Sequence, residues 1–286
     1  MQHPFRPQRP LLLLHLAVMM FGLSGVIGRM VRVSPVTLAG GRVLFSSAVL
    51  LITLLVQKQS LRSKSRTDAL LTCLAGSLLA VHWTSFFQSV QTASVAIGTI
   101  TYSTFPLFLL LLEPLLYHEA ITRRNILLSL GLIAGVLITV PEFSFSNETT
   151  VGILWGMLSS LTYALLTLCN RRLASSYPGT WVSFREQSFA ALLLLPLLLL
   201  RREAVTATDL LGIGAIGIIC TAVAFSLFVS AQKHVSAQTA GIVAGMETVY
   251  GILFAFVFIG EVPSVREIIG GIVILSVAAL ASLRKN

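Results

Sequence analysis

Charged side chains are scarce in this sequence: Asp, Glu, Lys and Arg together make up only 11% of its 286 residues. Soluble globular chains carry roughly 25%, so the composition argues against a water-soluble globule. Hydrophobic residues reach 55% and are gathered in long runs. Because the hydrocarbon core of a bilayer needs about 20 helical residues, such runs predict an integral membrane protein.

Cysteine is also rare, and the cysteines lack the pattern of a disulfide framework. Cys73, Cys169 and Cys220 lie inside apolar runs without C-x-x-C spacing, so we interpret them as small buried hydrophobic residues. His, Cys and carboxylate residues do not cluster at metal-ligand spacing, and we predict no metal site. A membrane enzyme acting on lipid-linked substrates would need paired carboxylates or a His-rich face, and the sequence has neither.

Ten apolar runs cover the chain, with short connections between them. We predict that each run is a transmembrane helix, because only internal hydrogen bonding satisfies a backbone in lipid. The sequence therefore predicts an all-α integral membrane protein with ten transmembrane helices. The runs are about 11–28, 35–56, 69–90, 94–117, 125–141, 151–169, 180–200, 208–231, 236–259 and 265–283.

The net charge of +9 would suggest a nucleic-acid partner in a soluble protein. Here the basic residues lie mainly between the apolar runs, so the membrane explains them and we expect no nucleic acid. With a cytoplasmic N-terminus, thirteen Lys and Arg residues lie on the cytoplasmic side and five on the other. The positive-inside rule then predicts that both termini are cytoplasmic.

The chain also repeats itself at an offset of 142 residues. Ser94 and Glu119 correspond to Ser236 and Glu261, and each pair bounds an apolar run that is followed by a polar hinge and a second run. Each half holds five runs, an odd number, so the halves cross the membrane in opposite directions. Inverted repeats are typical of secondary transporters, whose substrate site lies near the midplane between the halves. The predicted repeats are 1–145 and 146–286.

Each half also ends with the same order of features: a small residue, a central position for Pro, a closing Glu and a final helix that carries Gly. Ser94, Pro106-Leu107 and Glu119 show this order in the first half. The chain thereby resembles the EamA branch of the drug/metabolite transporter superfamily, although Thr248 stands where that family often has Pro. The resemblance implies ten spans, no cofactor, transport of small metabolites and a bacterial inner membrane.

Several glycine patterns predict helix packing. Gly212, Gly214 and Gly217 spell the dinucleotide fingerprint G-x-G-x-x-G, but that motif works only after a strand, so we interpret it as packing. Small residues four apart let membrane helices approach closely. Such pairs are Gly131/Gly135, Gly152/Gly156 and Gly241/Gly245. Thr99 and Ser103 occupy the positions equivalent to Gly241 and Gly245, so the fourth and ninth spans are expected to meet closely.

The fourth span should also bend at Pro106, because proline removes a backbone donor and clashes with the preceding turn. The kink and the close contact at Gly241 and Gly245 together form the predicted hinge region.

Four charged residues lie within the spans: Arg42, Arg185, Glu186 and Glu247. Each costs about 2.5–3.5 kcal/mol at the bilayer centre on insertion scales, so the set requires partners or water. Buried salt bridges and a cavity that binds substrate or protons are both open interpretations. Arg42 lies about 10 Å from the outer end by helical rise and is close enough to snorkel to the surface.

Aromatic residues at mid-span depth suggest the walls of such a cavity. His82 and Trp83 lie near the middle of the third span, and rings with polar tips suit a metabolite site, although a buried His is more often a packing residue. The predicted cavity residues are His82, Trp83, Tyr102, Tyr163, Arg185, Glu186, Glu247 and Tyr250.

These patterns predict a secondary transporter that exports a small polar metabolite, an amino acid or related compound, by alternating access at a midplane cavity. Glu247 could carry a proton if transport is coupled. A translocase for a lipid or lipid-linked sugar would share this fold and stays open as an alternative. The sequence leaves the oligomeric state open between monomer and homodimer.

Overall fold

The structure is a computed structural model that describes residues 8–117, 122–141, 144–232 and 237–282. Throughout these ranges the regular structure is helical and contains no strand. A π-helical turn, Ile218–Val223, joins the helix Ala207–Gly217 to the helix Ala224–Gln232. The helices are α1 (Gln8–Met30), α2 (Pro35–Val56), α3 (Arg66–Thr92), α4 (Val95–Tyr102), α5 (Phe105–Tyr117), α6 (Arg123–Thr139), α7 (Glu148–Ala174), α8 (Gly179–Arg201), α9 (Ala207–Gly217), α10 (Ala224–Gln232), α11 (Ala237–Ile259) and α12 (Val265–Ser282).

The helices follow the predicted apolar runs, with two interruptions. The fourth run divides into α4 and α5 at Ser103 and Thr104, directly before Pro106, as expected from a proline-induced break. The eighth run contains the π-helical turn. Seven helical stretches are long and apolar enough to cross a membrane, and Val243–Ile259 is a shorter apolar helix. The prediction of an all-helical membrane protein is thus confirmed.

Helix starts are fixed by side-chain caps. Six of the described helices begin after a Ser, Thr or Asn whose oxygen accepts from a backbone N–H of the first turn. Such caps satisfy donors that have no partner inside the helix. The caps also mark the boundary between each of these helices and the loop before it. The capping residues are Ser34, Ser65, Ser94, Thr122, Asn147 and Thr206.

The core of the protein lies between its two halves. Helix α1 packs along α11, α2 along α8, α3 along α7 and α6 along α12, so each of these pairs joins a helix of the first half to one of the second. Leu38, Phe86, Phe87 and Ala190 are fully or almost fully buried in the central cluster that these contacts create. Any cavity at the centre is therefore built from both halves.

Glycines bring these paired helices close together. A Cβ on Gly135 of α6 would lie 2.5 Å from the Cγ1 atom of Ile274 on α12, and one on Gly131 would lie 3.0 Å from Val277. A Cβ on Gly152 of α7 would lie 2.5 Å from the Cβ of Ala93. Close approach through small residues replaces the hydrophobic drive that lipid does not supply. The packing interpretation of these glycines is confirmed.

The G-x-G-x-x-G segment is also a packing feature. It lies in α9, and no strand precedes it in the described residues. A Cβ on Gly212 would lie 2.6 Å from the Cγ1 atom of Val31, and one on Gly217 would lie 2.8 Å from the carbonyl oxygen of Arg42. Gly214 has more room, with its nearest neighbours on Phe45 at 3.8 Å or more.

Carboxylates of the second half hold helix starts of the first half. Glu203 accepts hydrogen bonds from the Ser34 amide and hydroxyl, both at 2.7 Å, and from the Thr37 hydroxyl at 2.6 Å. Glu261 accepts from the Ala96 amide at 3.0 Å, in the first turn of α4. Burial alone would raise the pKa of Glu203, but the hydrogen bonds from Thr37 and Ser34 outweigh it and lower the pKa. Glu119, predicted to close the fourth span, lies outside the described residues.

Candidate functional site

A cavity of about 370 Å³ lies at the centre of the bundle. Its lining comes from both halves, and most of its wall is apolar or aromatic. One arginine and two glutamates line it, although charged residues are scarce in the protein as a whole. They are accompanied by hydroxyl and amide groups. The charged and amide residues of the lining are Arg42, Asn170, Glu186, Gln187 and Glu247.

A second hollow, of about 520 Å³, lies between α2, α8 and α9. Its lining is apolar except for Thr37 and Glu203, and both of these already bond to each other at 2.6 Å. It contains none of the predicted site residues. We therefore take the smaller, charged cavity as the candidate site, because specific binding of a polar molecule needs convergent polar groups.

Five of the eight predicted cavity residues line the charged cavity. Trp83 and Tyr102 come from the first half, and Tyr163, Glu186 and Glu247 from the second. Their rings are in contact: the Tyr102 and Tyr163 ring centroids lie 5.2 Å apart in an edge-to-face arrangement. The sequence thus predicted the aromatic wall and both carboxylates of the cavity.

The other three predicted residues lie outside the lining. His82 is 1% exposed and sits behind the wall, where its Nδ1 atom donates to the Ser159 carbonyl at 3.0 Å. Arg185 faces away from the cavity, with its guanidinium 5.8 Å from the Trp181 ring centroid. The Tyr250 hydroxyl bonds to Nδ1 of His15 at 2.8 Å, between α11 and α1. The structure thus brings none of these three to the cavity.

Arg42 is the principal lining residue that the prediction did not include. Only 1% of its surface is exposed, so the proposed snorkelling to the membrane surface is wrong. Its guanidinium carbon lies 3.2 Å from the Trp83 ring centroid, and its Nε donates to the Thr221 hydroxyl at 2.8 Å. Nη1 is buried and has no hydrogen-bond partner among the described residues. The sequence could have predicted Arg42 as a cavity residue, because a charged residue inside a membrane span usually faces the protein interior.

The π-helical turn places Thr221 beside Arg42. The Thr221 hydroxyl donates to the Ile216 carbonyl at 2.7 Å, five residues earlier, and accepts from Arg42. Gly217 allows this turn to approach α2, because its missing side chain leaves room for the Arg42 carbonyl. Single π turns inside helices often occur at functional sites. The sequence does not predict this turn, because a continuous apolar run looks the same in an α-helix and in a π-helical turn.

The break between α4 and α5 meets α11 at the edge of the cavity. The Thr248 hydroxyl bonds to the Ser103 hydroxyl at 2.6 Å and donates to the Thr99 carbonyl at 3.2 Å. The fourth and ninth runs therefore meet as predicted, but the contact forms at Thr248. Pro106 and Gly245 line the cavity, and a Cβ on Gly245 would meet nothing within 4 Å, so the predicted close packing at Gly245 is wrong. The side-chain surroundings of Gly241 lie outside the described residues.

A second polar group occupies the wall formed by α7 and α8. Glu186 is 5% exposed, and its Oε1 and the Oδ1 atom of Asn170 are buried without a hydrogen-bond partner in the described part of the chain. Gln187 instead links helices, because its amide donates to the Ser183 hydroxyl at 2.8 Å and its oxygen accepts from Ser46. Asn170 and Gln187 were missed because a neutral amide inside a span is less costly than a charge and gives a weaker signal.

This arrangement can bind a polar molecule, and the described residues offer no group of three or more His, Cys, Asp or Glu side chains that could hold a catalytic metal ion. The buried acceptors Glu186 and Asn170 and the free Nη1 of Arg42 instead offer opposite charges and hydrogen bonds to a ligand. These groups are enclosed by aromatic rings that would cover its apolar parts.

Comparison with known proteins relates this chain to membrane transporters. The model of the EamA-like transporter family matches residues 8–140 and again residues 150–283. The pseudopaline exporter CntI of Pseudomonas aeruginosa is 25% identical over 276 residues, covering 94% of this chain and 95% of that protein. The inner membrane transporter YicL of Salmonella typhimurium, itself uncharacterized, is 24% identical over 283 residues, with 94% and 93% coverage. A crystal structure with 20% identity matches the fold with a TM-score of 0.65 over 96% of both chains.

Proposed function

This chain belongs to the EamA-like transporter family, and on that premise we propose that it is a secondary transporter that exports a small polar metabolite by alternating access. The family and the relatives are membrane transporters and not enzymes. The proposal adds the ligand class, an amino acid or related compound, and the mechanism. Export is favoured because one relative over nearly the full length is named an exporter.

One observation carries this proposal: the central cavity holds Arg42, Glu186 and Glu247 inside an apolar bundle. Each charge costs several kcal/mol to keep at membrane depth unless it meets water or a partner. A packing role would have paired these groups, but the described residues contain no ion pair among them. A cavity that accepts a polar ligand accounts for their presence.

The proposed architecture is ten membrane spans in two inverted repeats, 1–145 and 146–286, with both termini cytoplasmic in a bacterial inner membrane. Three findings support it. The family model matches the chain twice, once in each half. Helices pair across the halves, α2 with α8 and α6 with α12, as symmetry-related elements would. The Lys and Arg distribution favours the orientation.

In this orientation the cavity extends towards the cytoplasm. Asn170 lies near the end of α7 and Glu186 near the start of α8, and both helix ends would be cytoplasmic. The opposite face would be held closed by Glu203 and Glu261, which tie the second half to the first. The molecule then represents a state open to the inside, which loads its ligand before the halves rock.

Flux measurements test this function. The purified protein would be reconstituted in liposomes loaded with a metabolite panel, and efflux and counterflow would be followed by mass spectrometry. We expect saturable flux of at least one amino acid or related compound. The Glu186→Gln variant should lower that flux, whereas Arg62→Gln in the exposed loop after α2 should not. A well-folded preparation that moves no compound would contradict the proposal.

Proton coupling is a separate part of the proposal and concerns Glu247. The same liposomes would be given an imposed pH gradient with the membrane potential clamped. Coupled transport through Glu247 predicts that the gradient drives wild-type flux uphill, and that any flux remaining in Glu247→Gln is downhill only. Equal gradient dependence in both proteins would assign the coupling elsewhere or show that there is none.

A further inference from the structure

Two opposite charges face the same cavity without meeting. Arg42 lines it from α2 and Glu247 lines it from α11. No ion pair joins them within the described residues, and Glu247 has no hydrogen-bond partner there. The cavity that both residues line is therefore open to a third group that could bind Arg42 and Glu247 together.

Arg42 is held rigidly enough to act as a receptor. The Trp83 ring covers one face of its guanidinium at 3.2 Å, a favourable cation–π contact. The Thr221 hydroxyl accepts from Nε at 2.8 Å, which fixes the orientation of the planar guanidinium group. Nη1 has no hydrogen-bond partner in this part of the chain. A preorganised guanidinium whose Nη1 lacks a partner can donate to a carboxylate oxygen of a ligand.

Charge balance restricts what can bind between these groups. An anion would satisfy Arg42 but leave Glu247 uncompensated, and a cation would do the reverse. An unpaired charge in a low-dielectric site is strongly unfavourable. A ligand with both charges pairs with Arg42 and Glu247 and adds no net charge to the bundle, and it leaves Glu186 beside the Asn170 amide. The apolar rings of Phe225, Phe228 and Tyr102 complete the lining and suit an apolar body.

We propose, resting on the transport function above, that the ligand is a zwitterion whose carboxylate binds Arg42 and whose ammonium group binds Glu247. Arg42 is then the residue that selects for a carboxylate. Glu186 is less suited to the ammonium group, because the Asn170 amide already bonds to it, whereas Glu247 has no hydrogen-bond partner in the described residues. The cavity of about 370 Å³ lies near the lower end of the usual range for small-molecule sites, so the zwitterion is small.

Binding can be measured on the full-length protein with a charge-sorted compound library. The library would contain matched triplets: an α-amino acid, the amine without its carboxylate and the acid without its amine, such as phenylalanine, phenethylamine and 3-phenylpropanoate. Thermal stabilisation in detergent would rank the compounds, and flux in liposomes would be measured for each binder. We expect stabilisation by zwitterions, with both truncated partners of any binding amino acid at least roughly 30-fold weaker.

Variants separate charge recognition from folding. Arg42→Gln and Glu247→Gln should each weaken zwitterion binding by roughly 30-fold or more, and Arg42→Lys by less, since it keeps the charge but loses the planar guanidinium group. The double variant Arg42→Gln/Glu247→Gln buries no unpaired charge, so it should fold even where a single variant does not, and still fail to bind. Arg62→Gln, on the exposed loop, is the control.

Three results would overturn the inference. The first is that neutral or singly charged compounds bind and move while zwitterions do not, which would leave the transport function intact. The second is that zwitterion binding survives in the folded double variant. The third is that no compound of any charge class binds or moves, which would remove the transport function together with this ligand class.

Discussion

The hydroxyl oxygens of Ser103 and Thr248 lie 2.6 Å apart where the break between α4 and α5 crosses α11. At the repeat offset of 142 residues, their counterparts are Gly245 and Pro106. At that equivalent position the structure is open, because nothing lies within 4 Å of a Cβ on Gly245. One crossing is thus closed by a hydrogen bond and its counterpart is open, which is the asymmetry that the proposed alternating access requires.

The first prediction concerns closure at Gly245. If the halves rock, this side must close against Pro106 in the alternative state, and a side chain at 245 would be compressed there. Gly245→Ala should therefore keep its thermal stability but lower flux by roughly tenfold, since overpacking costs about 1–3 kcal/mol. Flux in liposomes and thermal unfolding in detergent measure the two effects.

Gly214→Ala is the matched control for this variant. Gly214 is also a helical glycine with room for a Cβ, at 3.8 Å or more from Phe45, but it does not line the cavity. Both substitutions replace glycine by alanine in a helix, which changes stability by up to about 1 kcal/mol. Flux that falls equally in both variants, or in neither, would argue against closure at Gly245.

The second prediction concerns Trp83, which covers the Arg42 guanidinium. Trp83→Phe keeps an aromatic face and should retain most ligand binding. Trp83→Leu removes it and should weaken binding by roughly tenfold or more, because a desolvated cation–π contact contributes about 2 kcal/mol. Titration of a binding zwitterion into each variant measures this. Equal affinity in the Phe and Leu variants would show that Trp83 acts only by filling space.

The third prediction concerns the approach of the π-helical turn to α2. A Cβ on Gly217 would lie 2.8 Å from the Arg42 carbonyl oxygen and 2.7 Å from the Phe45 Cβ, and neither atom is the end of a flexible chain. Gly217→Ala should therefore destabilise the protein by about 1–3 kcal/mol and displace Thr221 from Arg42. A lower thermal midpoint than that of Gly214→Ala, with weaker ligand binding, would confirm this, and an unchanged midpoint would refute it.

Much of the fold follows from the sequence because lipid allows few alternatives. Spans must be helices of nearly fixed length, so the apolar runs gave the helices to within a few residues. Charges and tyrosines inside a span avoid lipid and face the protein interior. For that reason the sequence predicts Glu186, Glu247, Tyr102 and Tyr163 as cavity residues.

The remaining parts depend on rotation of each helix about its axis, which run lengths do not define. Arg185 and Glu186 are adjacent, and only the second faces the cavity. Arg42 is within snorkelling distance of the surface, yet its side chain turns towards the cavity, where the Trp83 ring covers it. His82 bonds to a carbonyl on α7, a contact between distant segments that no local pattern contains.

The last prediction concerns the pH dependence of the link between Glu203 and the start of α2. Its hydrogen bonds from Thr37 and Ser34 lower the pKa of Glu203 in the folded protein. A lowered folded pKa stabilises the protein above the unfolded value of about 4.3, and this stabilisation is lost as the pH falls through the folded pKa. Glu203→Gln should therefore lower stability by about 1 kcal/mol at neutral pH.

As the pH falls below the unfolded pKa and through the folded pKa of Glu203, the wild-type protein loses this contribution, so the difference between the two proteins should shrink. Thermal unfolding in detergent from pH 7 to pH 3 measures it. Thr37→Val removes one donor at 2.6 Å and should lessen the pH dependence by the same route, and a double variant shows whether the two effects are coupled. If the wild-type and Glu203→Gln midpoints stay a constant distance apart across this range, Glu203 does not hold the two halves together through its charge.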